Sequence, residues 1–356
     1  MYRRVTAMAA LSGLALTGFV ATAPGASAAP KKVVVVKGLD NPRQLSWDER
    51  SGALVVAEAG RGGHTCGEEG CLGATGSVSL IAHPTSPDAR ARTILRGLLS
   101  AASPDGSFAT GADGADVRGR NLYTIITGGP PDLPPSPGSD QAGWLLRSRL
   151  GVTTKLANIT AYEIKHNPDG KQVESNPYAT LALHGSKRVL VADAAGNSVI
   201  AVNARTGRRT VFHEWTPRRG KAEFVPTSLA QDEQGNVYVG GLGSERKGKA
   251  KVVRFSPSGE RLSAWTGFTG ITGVAVDSAG VLYVSELFGG PEGFGQVVRV
   301  RADGRDKMAV PLPSGIAVDD DGNVFVAAWS VADRDGAPAG EESPPLRSGR
   351  ILRVTF

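Results

Sequence analysis

The sequence predicts an all-β chain folded as a six-bladed β-propeller, its ring closed by pairing of the N-terminal strand with the C-terminal blade. The first observation is a near-duplicate: "TGVAVDSAGVLYVSEL" (Thr272 to Leu287) returns 42 residues later as "SGIAVDDDGNVFVAAW" (Ser314 to Trp329). Each copy is a short apolar strand, an Asp/Gly turn and a second alternating strand, the pattern of a β-hairpin. The second is repetition, because aligning on the glycine before each second strand gives Gly52, Gly119, Gly185, Gly235, Gly280 and Gly322, at spacings of 67, 66, 50, 45 and 42. A hairpin cannot bury both its faces alone, and four-stranded units of this length are propeller blades. The third is a pair of complementary ends. The sixth unit stops at Phe356 after three strands, and "KKVVVVKGL" (Lys31 to Leu39) precedes the first hairpin as a strand without a unit. Pairing it with Gly349 to Thr355 leaves no unpaired end, which an open β-solenoid would.

The segment ahead of that strand holds Arg3 and Arg4, an apolar run and then Ala26-Ser27-Ala28. This is the pattern of a secretory signal peptide, expected over residues 1–28 and followed by one propeller domain over 29–356. No later stretch is apolar for long enough to span a membrane, so the expected location is extracellular, without a membrane span. Removal of residues 1–28 lowers the 40 basic residues to 38 against 34 acidic ones, and the net charge from +6 to +4. The basic residues are scattered rather than striped, which argues against nucleic-acid binding. A chain with 47 glycines and 22 prolines suits many turns.

Blade one begins with "GALVVAE" and continues through "HTCGEEGCLG", which holds both cysteines, Cys66 and Cys71. In an exported protein a disulfide is the default for such a pair, closing a small ring that shapes one loop; a two-thiolate metal site is the alternative. The remaining blades take their third strands from "GWLLRSR", "NSVIAVN", "AKVVRFS", "GQVVRVR" and "GRILRVT". Fourth strands are exemplified by "RTILRGL" and "KMAVPL". Loops between second and third strands are long, whereas the turns on the opposite face are short, as in "DEQG", "DSAG" and "DDDG". Loops grown on one side of a rigid scaffold are where ligands bind, so the long-loop face is the expected functional face.

On that face three second strands end in an acid at the same position: Glu58, Asp193 and Glu286, in blades one, three and five. Two blades start from Asn-Pro, adding Asn41 and Arg43 in "LDNPRQL" and Asn176 and Tyr178 in "ESNPYAT". Carboxylates and amide oxygens around an axial channel mouth can hold Ca²⁺ or another hard cation. The structural alternative is that each acid accepts hydrogen bonds from amides of the loop that follows it. Asp193 is expected to do so, because "ADAAGNS" is short enough to fold back, while Glu58 and Glu286 are expected to face a ligand. The five histidines never pair at metal or triad spacing, and no G-x-S-x-G elbow occurs.

Taken in order, "GLDNPRQLSWD", "VVAEAGRGG", the loop ending "CLGATGSV", "ITAYEIKHNPDG", "ESNPYA" and "VLVADAAGNSVIAV" resemble the ScyD/ScyE family of exported bacterial propellers over the whole mature chain. The resemblance implies the fold and export and carries no established activity. More distantly, "ADAAGNSVIAVNARTG" is similar to NHL repeats and to gluconolactonase and streptogramin-lyase propellers. From the lactonase metal set only an acid at the channel mouth can be carried over, onto Glu58, Asp193 or Glu286, and the lyase histidine has no counterpart. The expected function is that of a monomeric binding or scaffold module for a small molecule, glycan or protein. The alternative is a metal-assisted hydrolase or lyase at the channel mouth.

Overall fold

The computed structural model describes residues 30–67, 70–130, 133–291, 294–331 and 348–356. The expected signal peptide and most of the loop before the last strand lie outside them. Six antiparallel sheets form a ring, one per expected blade. The inner strands are Pro42–Asp48, Ala112–Arg118, Pro177–Ala182, Pro226–Gln231, Ile271–Val276 and Ile316–Val318, each abutting the next and the last returning to the first. All six alignment glycines adopt positive φ, between 60° and 83°. That conformation is nearly free only for glycine, which is why the residue recurs before every second strand.

The ends of the chain meet as expected. Lys31–Leu39 pairs antiparallel with Gly349–Thr355, with Lys31 opposite Thr355 and Leu39 opposite Gly349. Blade one carries an extra short strand, Thr65–Gly67, which pairs with the start of Gly70–Ala82 and places Cys66 opposite Cys71 in a disulfide.

The core forms a wedge at each of the six blade interfaces, with a further small cluster of Ala59, Ala102 and Ala109. Leu190 and Val199 of blade three pack with Leu229, Val239 and Phe255 of blade four. Val36 and Leu39 of the N-terminal strand pack with Leu45, Leu54, Val56 and Ile81 of blade one. Sheets are apolar on both faces for this reason: in Ala53–Glu58 every residue is buried. Among the described residues no helix is long and apolar enough to cross a membrane. The α-helix α1, Ile159–His166, lies between blades two and three, capped by the Asn158 side chain, which accepts the Ala161 amide.

Candidate functional site

The three strand-end acids are buried, and each is bonded within its own blade. Glu58 accepts the Asp40 amide at 2.9 Å together with the Ser77 and Ser79 hydroxyls. Asp193 accepts the Asn176 and Gly196 amides at 2.7 and 3.2 Å and the Ser175 hydroxyl at 2.7 Å. Glu286 accepts the Thr269 amide and the Gln296 side-chain amide. The shared partner is therefore the amide just ahead of the blade's own inner strand; only Asp193 also reaches the loop that follows it. Each carboxylate ties the start of a blade to its second strand. Desolvation pushes the carboxyls of Glu58 and Asp193 above the ordinary range, the latter to about 6.

Five inner strands carry one extra residue just after their first, a β-bulge that re-aims the side chain. Arg43, Asp113, Tyr178, Thr227 and Thr272 fall there. Arg43 donates to the Ala109 carbonyl and lies 3.8 Å from Asp113, Thr227 donates to Ile271, and Thr272 to Pro313. Asn41 donates to the Gly60 and Gly106 carbonyls, Asn176 accepts the Thr127 hydroxyl, and Tyr178 packs on the core between blades three and four. These side chains fasten segments to one another, chiefly blade to blade. Among the described residues no three His, Cys, Asp or Glu side chains are grouped to hold a metal.

Of the seven candidates, Glu58 lines a cavity. This groove of about 950 Å³ runs between the N-terminal strand, as the outer strand of blade six, and the outer part of blade one. Ser77, Ser79 and Thr75 join Glu58, Thr93 lies on the outer strand of blade one, and Lys37, Arg90, Arg96 and Arg350 bring four positive charges. Its two acids are already committed: Glu58 as above, and Asp40 to Arg61 at 3.5 Å. None of the four cations has a carboxylate in ion-pair range among the described residues. Lys37 and Arg350 stand directly opposite each other in the closing strand pair. Like charges at such positions repel, so the groove's field is positive. The sequence reading missed this set because its members come from both ends of the chain; only the Lys37–Arg350 register, fixed once closure is assumed, would have signalled it.

Another cavity, about 810 Å³, opens on the short-turn face and is lined by Gln44, Ser46, Asp116, His184, Asp232 and Asp277 among others. Asp232, Asp277 and Asp319 each accept the amide four residues on, so these acids shape the turns themselves.

No family model and no curated protein matches the sequence. Solved structures do. Regucalcin from Agrobacterium tumefaciens, described as a calcium-binding protein, is 15% identical with a TM-score of 0.52, over 90% of this chain and 93% of its own. A gluconolactonase from Xanthomonas campestris is 13% identical at 0.52, over 92% and 90%. A streptogramin B lyase is 10% identical at 0.50, over 92% and 97%. At these identities the likeness shows the propeller fold.

Proposed function

We propose that this chain is an exported, ScyD/ScyE-like propeller that binds an acidic oligosaccharide in the groove between blades six and one. The repelling Lys37–Arg350 pair carries the reading, with Arg90 and Arg96 extending the positive field along the groove. The hydroxyls of Thr75, Ser77, Ser79 and Thr93 suit a hydroxyl-rich ligand, and the volume lies within the range of small-ligand sites. The Cys66–Cys71 disulfide fits an oxidising, extracellular setting.

The test is calorimetric titration with oligogalacturonate, with a neutral maltooligosaccharide as comparison. Binding restricted to the acidic sugar, weakened by salt and at least about tenfold weaker in Arg96→Ala and Arg350→Ala, is the expected result. Equal binding of both sugars, or none, refutes the reading.

A second reading, a hydrolase or lyase, draws on Glu58, a buried carboxyl of raised pKa beside a cavity, as general acids often are. The gluconolactonase and lyase neighbours show that the scaffold hosts such chemistry elsewhere. Release of shorter sugars by the wild type but not by Glu58→Gln, with binding retained in the variant, selects this reading over simple binding.

A further inference from the structure

Away from the groove, α1 buries a carboxylate that the fold leaves without a partner. Glu163 is 2% exposed, and among the described residues neither of its oxygens has a hydrogen-bond partner. It sits one turn after Ile159, so helix periodicity turns it inward along with that apolar side chain. An unpaired buried carboxylate is strongly disfavoured in its charged form, and such a group calls for a specific compensating partner.

Its surroundings supply more negative charge. A Cβ added to Gly196 would stand 2.8 Å from Glu163 Oε2 and 3.1 Å from Asp193 Cγ, so the two carboxyl groups flank one small space that only glycine leaves open. Asp193 and Asp169, the latter itself 3% exposed, both bring negative charge to bear on Glu163. Asn167, which ends the helix, holds another buried oxygen, Oδ1, with no hydrogen-bond partner among the described residues. The C-terminal end of a helix also favours positive charge.

We propose that Glu163 and Asp193 form a hard-cation site between α1 and the turn after the second strand of blade three, and that its ion is Ca²⁺. The donors are all oxygen, which selects Ca²⁺ over softer metals, and its variable coordination at about 2.3–2.6 Å tolerates a site only partly built by carboxylates. Among the described residues no trio of His, Cys, Asp or Glu side chains is pre-assembled as a cage; two carboxylates carry the charge, and water completes the shell. The site lies at blade three, apart from the groove at blades six and one.

The full chain, stripped with a chelator and dialysed, would be titrated with CaCl₂ by calorimetry, with melting followed in parallel. The expected result is one Ca²⁺ per chain and a melting temperature that rises with CaCl₂ up to about 10 mM. Glu163→Gln is expected to weaken binding at least about tenfold, as is Gly196→Ala, whose methyl fills the space. Glu174→Gln, an exposed acid nearby, should bind as wild type does. No heat and no thermal shift in the wild type overturns the site, as does wild-type affinity in Glu163→Gln. The wild-type titration decides the matter whether or not the variants fold.

Discussion

Gln44 of blade one reaches past blade two to bond both backbone groups of Thr180 in blade three. Its side-chain nitrogen donates to the Thr180 carbonyl at 2.7 Å, and its oxygen accepts the Thr180 amide at 2.9 Å. The amide thus imitates a neighbouring strand, and Gly114 of the bridged blade has no side chain to obstruct it, since a Cβ there would run into Gln44 Oε1.

Gln44→Ala therefore leaves the backbone groups of Thr180 without this partner. A loss of about 1–3 kcal/mol is expected, measured as a fall in melting temperature. Gly114→Ala should cost a similar amount by displacing Gln44. The double variant should cost less than the two singles together, because the second change has no bridge left to disturb. Strict additivity would show that the bridge contributes nothing.

Deleting Lys31–Gly38 strips blade six of its outer strand and removes Val36 from the wedge against blade one. The whole ring should lose stability as one cooperative unit, seen as a single earlier transition. Unchanged melting of the truncated chain would mean that closure is dispensable.

The Cys66–Cys71 disulfide closes a ring of few residues at the edge of blade one. The double change to Ser should cost at most about 2 kcal/mol, since so small a ring constrains the unfolded chain little. Alkylation followed by mass measurement should label neither cysteine before reduction and both after.

Asp116 accepts the Ala182 and Val117 amides, and burial pushes its carboxyl up to about 7 from 3.8. The folded state therefore holds this proton more tightly than the unfolded state does. That contribution to stability is present below pH 4 and is lost as pH rises to 7, by about 1.4 kcal/mol for each pH step between. Asp116→Asn cannot ionise. Relative to wild type, its melting temperature should climb from pH 4 to pH 7 and then level off; a constant difference would place the carboxyl's pKa in the ordinary range.

The blade count and the closing pair were legible in the sequence because both rest on backbone demands: glycine at positive φ before Asn121, Val237 or Val324, and an apolar strand needing a partner. The roles of side chains were less legible. Glu58 and Glu286 occupy the same position in their blades, yet Glu58 borders a cavity while Glu286 is covered by Gln296; the third strand of each blade places the short Ser77 opposite Glu58 and the longer Gln296 opposite Glu286. Arg43 and Tyr178, expected at the channel mouth, each sit on a bulge and contact a neighbouring segment, and a bulge leaves no mark in hydrophobic alternation. Glu163 escaped notice because α1 spans only eight residues, too few for periodicity to announce a buried face.

The pairing of Lys31–Leu39 with Gly349–Thr355 also orders events in time. Synthesis delivers Lys31–Leu39 before Gly349–Thr355, so the strand must wait, its valines uncovered, while the intervening blades are made. An idle strand of this kind is prone to pair with the wrong chain. Lys31, Lys32 and Lys37, all exposed in the finished ring, place charge at both ends of the valine run and discourage that error until the proper partner arrives.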